Sequence, residues 1–369
     1  MKITAIRTER LRLPLDPPFR AAWDPVPRDH FDATLVRVDT DAGIVGVGSG
    51  DTMDGFASHE HLFLGTDPLA IDRHTRAIET INFHAGRFWP LEAALWDIVG
   101  QVAGLPVTTL FGGSTDRLPA YMSTGELKTP QERVETTLAA RDQGFGAVKV
   151  RITHQQVDAG VETVARLREA LGDDFAIMVD LNSSWPMAGD LRPPPDVKAV
   201  TRLVARLAEL GVHWVEEPLP YADVAGLAEL RRQSGARIAG GEMLRTFDDA
   251  LRLLRHDALD IYQMDTVLSL GMSRARTFAA LAQHHNRSYT PHTWTNGVGL
   301  VANLHVAAGV GSTPYFEFPY DPEGWTLQRR DFMLAEPVGI DADGYVHVPD
   351  APGLGVVLDE DAVDRWRIA

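Results

Sequence analysis

Charged and polar side chains follow a series of short apolar segments from about residue 147 onwards. They recur in order, as Lys149 and Arg151, Asp180 and Asn182, Glu216 and Glu217, Glu242, Asp265, His292 and Glu317. A single acidic residue at a strand end is commonly a helix N-cap and carries little information. Repetition after successive segments is harder to explain by capping, and it predicts one shared site of carboxylates, cations and an imidazole.

Three acidic residues in this series are predicted to bind a metal ion. In the stretch WVEEPLP, Glu216 and Glu217 point to opposite faces of a strand, so at least one faces an interior, where an unpaired charge is costly. Asp180 and Glu242 lie on the adjacent strands, and oxygen-only coordination suits a hard cation such as Mg²⁺. We therefore predict Asp180, Glu216 and Glu242 as Mg²⁺ ligands. Glu217, of opposite strand phase, is predicted to pair with a neighbouring cation.

Lys149 and His292 are predicted to flank a substrate held by this metal. Asp265 lies one strand before His292, where it is placed to accept a hydrogen bond from the imidazole. Such a bond fixes the tautomer of the ring and raises its basicity. The pair is therefore a candidate acid-base dyad.

The composition excludes several other functions. The formal net charge of -16, from 35 basic and 51 acidic residues, argues against nucleic acid or an anionic membrane as a partner, because both need a basic surface. The absence of cysteine excludes disulfides, thiolate catalysis and sulfur-ligated metals. The first residues, MKITAIRTERLRLPL, alternate like a strand and lack the apolar core of a signal peptide. We therefore expect a cytoplasmic protein that acts on a small molecule.

Eight apolar, β-branched segments are predicted to be the strands that position these residues. They span residues 118–123, 147–152, 176–181, 212–217, 237–242, 259–265, 287–292 and 314–318. Amphipathic stretches of helical length separate them, and eight parallel βα units close a TIM-type barrel whose catalytic groups ring the carboxyl ends of the strands. A doubly wound open sheet is the alternative, although no Gly-x-Gly-x-x-Gly loop follows the first strand.

The chain is predicted to have three parts. Residues 1–115 contain strand-like runs with a turn at 41–43, followed by helical stretches, and indicate an α+β domain. Residues 116–330 form the barrel with the site. Residues 331–369 are turn-rich and strand-like, and are predicted to return to the first domain.

The ordered motifs resemble those of the enolase superfamily, in its mandelate racemase subgroup. The resemblance rests on Lys149-x-Arg151, Asp180-x-Asn182, WVEEP, GGE ending at Glu242, Met-Asp265, Pro-His292 and Phe-Glu317. Two further stretches, AALWDIVGQVAGLPVTTLFGG and PDAPGLGVVLDEDAV, are similar to the family's domain-joining helix and returning C-terminal segment. The resemblance implies a modified TIM barrel, (β/α)7β, with an N-terminal α+β capping domain, and a homo-oligomer.

The resemblance also implies a reaction, the Mg²⁺-dependent removal of a proton α to a carboxylate through an enediolate. In that chemistry His292 is acid or base, and Lys149 and a protonated Glu317 stabilise the intermediate. The family's second lysine, on the opposite face, is replaced by Arg151, which stays protonated and is a poor base. His292 is therefore predicted to be the single proton carrier.

The substrate is predicted to be a sugar acid. The segment FRAAWDPVPRDH contains Arg20 and Trp23, and in the resembling family this loop closes over the site and selects the substrate. Asn182 and Trp294 are further predicted contacts. We expect dehydration to a 2-keto-3-deoxy acid. An epimerase or racemase, a sugar-lactone cycloisomerase, and a non-catalytic barrel that binds a metal or sugar acid are the alternatives, although mere binding requires no oriented His292–Asp265 pair.

Overall fold

An antiparallel sheet built mainly from the first 50 residues covers one end of the molecule. The computed structural model describes residues 1–51, 53–84 and 86–368. The sheet begins with β1 (Ile3–Phe19), β2 (Arg28–Thr40) and β3 (Val45–Gly50). Leu11, Leu15 and Phe19 of β1 are buried in one apolar cluster, whereas Ile6, of opposite strand phase, is buried in another, so both faces of β1 contribute to packing.

Three helices follow the sheet in the chain, and α2 packs on it at close range. They are α1 (Ile71–His84), α2 (Trp89–Ala103) and the short α3 (Val107–Leu110). A Cβ atom on Gly48 of β3 would lie 2.1 Å from the Pro90 carbonyl oxygen of α2. The glycines in the β3 sequence VGVGSG therefore allow the helix backbone to approach the sheet.

The middle of the chain alternates strands with helices. In chain order these are β4 (Arg117–Ser123), α4 (Pro130–Asp142), β5 (Ala147–Arg151), α5 (Val157–Leu171), β6 (Ala176–Asp180), α6 (Val197–Glu209), β7 (Trp214–Glu216), α7 (Val224–Gln233), β8 (Arg237–Gly240), α8 (Phe247–Arg255), β9 (Ile261–Tyr262), α9 (Gly271–His284), β10 (Ser288–Tyr289), α10 (Gly297–Val310) and β11 (Phe316–Pro319). Each strand pairs in parallel with the next from β4 to β10, and β11 pairs in parallel with β4. The last strand thus returns to the first, which confirms the predicted (β/α)7β barrel over the open sheet.

The strand register brings the charged residues to one end of the barrel. Arg151 lies opposite Asp180, and Asp180 lies opposite Glu216, at the carboxyl ends of β5, β6 and β7. The later strands end earlier than the sequence predicted, so Glu242, Asp265 and His292 belong to the loops that follow β8, β9 and β10. These loops still leave the same end of the barrel.

The C-terminal segment contacts both the barrel and the N-terminal sheet. It contains α11 (Leu327–Arg330), β12 (Tyr345–His347), α12 (Glu360–Trp366) and β13 (Arg367–Ile368). β12 pairs antiparallel with β4, and β13 pairs antiparallel with β1. None of the helices in the described ranges is long and apolar enough to cross a membrane.

Candidate active site

Three buried carboxylates meet at the mouth of the barrel. Asp180, Glu216 and Glu242 each offer an oxygen atom, and these atoms all lie within 4.8 Å of one another. One oxygen of Glu242, Oε2, is buried and has no hydrogen-bond partner among the described residues. Three clustered, buried carboxylates are costly without compensating positive charge. Their spacing and oxygen-only chemistry fit a hard divalent cation, as the sequence predicted for these three residues.

Lys149 and Arg151 approach the same carboxylates from β5. Lys149 Nζ lies 2.5 Å from Glu216 Oε1 and 2.7 Å from Glu317 Oε1. Burial by itself lowers the pKa of Lys149, but Glu216 and Glu317 outweigh burial and raise that pKa. The Arg151 guanidinium contacts Asp180 and donates from Nε to the Thr124 carbonyl at 2.8 Å. Both side chains are therefore held as cations.

Glu317 accepts hydrogen bonds in this arrangement, and its role as a protonated donor to the reaction intermediate stays a prediction. It accepts from Ser123 Oγ at 2.8 Å and from the Thr293 N–H at 2.6 Å. Burial would raise the pKa of Glu317, but Lys149 and His292 lower it to about 2. Two hydrogen-bond donors and a contacting ammonium group all favour the charged form.

His292 and Asp265 form the predicted dyad geometry. His292 Nδ1 donates to Asp265 Oδ2 at 3.0 Å, and Asp265 Oδ1 accepts from the Val267 N–H at 2.8 Å and from Asn303 Nδ2 at 3.1 Å. His292 Nε2 is 3.8 Å from Glu242 Oε2 and faces the carboxylate cluster. This second ring nitrogen is the one free to exchange a proton with a substrate.

Two acidic neighbours determine the basicity of His292. Burial lowers the pKa of an imidazole, but Glu242 and the hydrogen bond to Asp265 raise the pKa of His292 to about 10. A divalent cation bound by Glu242 would offset the attraction between Glu242 and the protonated imidazole, and would bring the pKa of His292 down towards neutrality. The arrangement therefore suits proton transfer when the carboxylates hold a metal.

Aromatic rings form the wall of a cavity of about 520 Å³ at this site. Trp23 and Trp294 line it together with Arg151, Asn182 and His292. The Trp23 ring centroid lies 4.9 Å from that of Trp294 and 4.6 Å from the Arg151 guanidinium carbon. Three of the predicted substrate contacts, Trp23, Asn182 and Trp294, are therefore brought to the catalytic groups.

Arg20 is the predicted contact that the structure does not bring to the site. Its side chain is exposed and lines neither this cavity nor the neighbouring one. The preceding residue, Phe19, is buried and stacks on Trp294 with ring centroids 5.8 Å apart. Because adjacent side chains at a strand end point to opposite faces, Arg20 is directed away from the cavity.

Glu217 has a different partner from the one predicted. It is fully buried and accepts a short hydrogen bond from the Tyr221 hydroxyl, and no cation pairs with it among the described residues. Burial together with the charges of Glu242 and Asp180 raises the pKa of Glu217 well above its ordinary value. Its backbone φ of 49° places it past the strand, where the alternation rule no longer determines its direction.

Two supporting amides are missing from the sequence prediction. Gln263 Nε2 donates to Glu216 Oε2 at 2.7 Å, and Asn303 donates to Asp265 from α10. Gln263 lies two residues before Asp265 in the predicted strand 259–265. The two-residue period of a strand places both side chains on one face, so this spacing could have predicted that Gln263 lies at the site. Asn303 lies on a buried helix with no comparable local signal.

Comparison with known proteins identifies close counterparts of this architecture. Residues 132–362 match the family model described as enolase C-terminal domain-like. The chain is 31% identical to 3,6-anhydro-alpha-L-galactonate cycloisomerase of Streptomyces coelicolor, covering 99% of each chain. It is 29% identical to L-talarate/galactarate dehydratase of Salmonella typhimurium, over 82% of this chain and 72% of that protein. The crystal structure of a racemase from Streptomyces coelicolor A3(2) with bound magnesium superposes with a TM-score of 0.84 and 29% identity, covering 99% of this chain and 100% of the other.

Proposed function

We propose that this chain, which belongs to the enolase superfamily and its mandelate racemase and muconate lactonizing group, removes the proton α to the carboxylate of a sugar acid. The observation that carries the proposal is the free Nε2 of His292, oriented by Asp265 and facing three buried carboxylates. A barrel that only binds a ligand needs no oriented proton carrier. The proposed reaction uses His292 as that carrier, with Mg²⁺ as the cofactor.

Each residue has a defined part in the proposed reaction. Asp180, Glu216 and Glu242 would hold Mg²⁺, which when bound supplies Lewis acidity to the substrate carboxylate. His292 Nε2 accepts the α-proton, and the electron pair of that C–H bond moves into the carboxylate to give an enediolate. The same pair then forms a double bond between the α- and β-carbons as the β-carbon–oxygen bond breaks. The protonated imidazole then gives its proton to the departing oxygen, and the enol product tautomerises to a 2-keto-3-deoxy acid. Lys149 remains a cation beside the carboxylate end of the substrate.

The origin of the departing oxygen decides between two reaction classes. A free β-hydroxyl leaves as water, which makes the enzyme a dehydratase. An oxygen that closes a ring stays attached after the bond breaks, which makes the enzyme a cycloisomerase. Dehydration of an open-chain acid is our first proposal. Cycloisomerisation is the second, and the similarity to a named cycloisomerase over nearly the full length of both chains favours including it.

A substrate screen tests this proposal. Chelated enzyme and enzyme resupplied with Mg²⁺ are incubated with open-chain sugar acids and with lactones or anhydro acids, and 2-keto acid is detected as its semicarbazone. A product lighter than its substrate by one water identifies a dehydratase, and a product of equal mass identifies a cycloisomerase. Failure to form keto acid and failure to exchange the α-proton with solvent, across the screen, would overturn the proposal.

A further inference from the structure

A second cavity lies beside the catalytic one and has no part in the chemistry proposed above. Its volume is about 750 Å³, and residues 182–196, which connect β6 to α6, supply much of its lining. The two cavities share Trp23, Arg151, Asn182 and Trp185 as lining residues. These four side chains therefore mark the junction between the two cavities.

At the junction between the cavities, Arg151 has its hydrogen-bond partners within the protein, whereas Trp185 has an N–H group without one among the described residues. Arg151 is committed to Asp180, to the Thr124 carbonyl and to the face of Trp23. Trp185 differs, because its Nε1 is buried and has no hydrogen-bond partner among the described residues. A buried N–H group without a partner costs free energy, and an acceptor on a ligand would satisfy it. The unpartnered N–H group of Trp185 therefore indicates that a ligand with an acceptor group binds at the junction.

The lining of the second cavity combines flat apolar surfaces with guanidinium groups. Trp185 and the prolines of residues 193–195 supply rings, and α6 contributes the exposed Ala199. Four arginines line the cavity; Arg151, Arg192 and Arg206 each pair with an aspartate, and the fourth is Arg202. Flat rings pack against the C–H faces of a sugar, and guanidinium N–H groups donate hydrogen bonds to its hydroxyls.

We propose that this cavity is a distal subsite for a second sugar unit, so that the preferred substrate is a glycosylated sugar acid. The carboxylate end lies at the metal-binding cluster, and the far sugar passes the junction and occupies the space under residues 182–196. A hydroxyl of that sugar accepts the hydrogen bond from Trp185 Nε1. The inference rests on the proposed function for the orientation of the acid end.

Binding measurements on a matched ligand series test the subsite. Gluconate is compared with maltobionate, cellobionate and melibionate, each of which is gluconate carrying one further sugar, by calorimetry on the Mg²⁺-loaded His292→Asn protein so that no turnover occurs. We expect at least one extended acid to bind with a Kd about tenfold or more below that of gluconate. An affinity for gluconate that equals or exceeds that of every extended acid overturns the subsite.

Variants locate the gain in affinity. In the same background, Ala199→Trp fills the cavity from an exposed helical position and should abolish the advantage of the extended acid, whereas Ala225→Trp, an exposed alanine on α7 outside both cavities, should preserve it. Trp185→Phe removes the N–H donor while keeping an aromatic ring, and should weaken binding of the extended acid several-fold. An advantage that survives both Ala199→Trp and Trp185→Phe places the second sugar elsewhere and refutes the proposal.

The subsite and the proposed function can fail separately. If active enzyme converts unextended acids to keto acids while the calorimetric advantage is absent, the function stands and the subsite falls. If the advantage is present and sensitive to Ala199→Trp, but no acid yields keto acid or exchanges its α-proton, the subsite stands and the function falls.

Discussion

The two sides of the barrel mouth differ in whether their side chains can exchange a proton. On the β5 side, Lys149 and Arg151 are pinned by carboxylates, and their charges are fixed. On the side of the loop after β10, His292 has one ring nitrogen anchored by Asp265 and the other free. The comparison teaches that a site of many charged groups has one group suited to carry a proton, because the others are held in a single ionisation state by their neighbours.

The largest expected effect comes from removing the free nitrogen. His292→Asn should lower kcat by at least about 10² to 10⁴-fold, the usual range for loss of a general acid or base, while metal binding persists. Turnover and α-proton exchange in D₂O are the measurements, with the exposed His285→Asn as the matched control. Full activity in His292→Asn would mean that Lys149 carries the proton, and the contrast between the two sides would disappear.

A second buried histidine sharpens the comparison. His305 on α10 bonds only to uncharged groups, the Leu354 carbonyl at 3.0 Å and Thr108, and burial lowers the pKa of His305 to about 4. In the unfolded chain the imidazole of His305 takes up a proton near pH 6.5, whereas in the folded protein it does so only near pH 4. The stability that neutral His305 contributes is therefore fully present above about pH 6.5 and is lost as the pH falls towards 4. The full loss amounts to roughly 3 kcal/mol.

His305→Gln tests the predicted loss of stability at low pH. A glutamine amide also offers one donor and one acceptor group, and it does not titrate between pH 4 and pH 7. Denaturant midpoints at pH 7 and at pH 4.5 should differ less for the variant than for the parent protein. The exposed His284→Gln should retain the parent's pH dependence. Equal pH dependence in His305→Gln and the parent would show that burial does not hold this imidazole neutral.

The carboxylate cluster provides the next test. Glu242→Gln removes one charge from the proposed ligand set and should weaken Mg²⁺ binding by at least about 10- to 100-fold, measured by calorimetry; even the loss of a group that supports a ligand has an effect of this size. It also removes the main attraction that raises the pKa of His292, so that pKa should fall. Glu209→Gln, exposed on α6, is the control. Unchanged metal affinity in Glu242→Gln would remove Glu242 from the ligand set.

The smallest expected effect is an absence of inversion at the α-carbon. Arg151 occupies the place of a second base but cannot lose its proton near neutral pH, and Lys149 is held charged by Glu216 and Glu317. In D₂O the enzyme should exchange the α-proton of its substrate without inverting that carbon, as read by NMR. Deuterium that enters both configurations at comparable rates would show that both sides exchange protons, and would favour an epimerase.

The sequence by itself determined the barrel and the members of the site. The eight strands were predicted from local patterns of β-branched and apolar residues. The charged residues lie either near the carboxyl end of a strand or two to three residues after it. Parallel pairing then brings the strand ends together without further information. Lys149, Asp180, Glu216, Glu242, Asp265 and His292 were therefore predicted to meet from their positions in the chain alone, and the structure brings them together.

The tertiary structure alone decided how these groups are charged and which neighbours complete the site. Lys149 and His292 lower the pKa of Glu317, and Ser123, 194 residues away, donates a hydrogen bond to it. Arg20 points outward because Phe19 fills the aromatic wall. The second cavity likewise depends on how residues 182–196 lie against α6. Ionisation and cavity shape depend on distances between residues far apart in the chain, and local sequence patterns do not specify those distances.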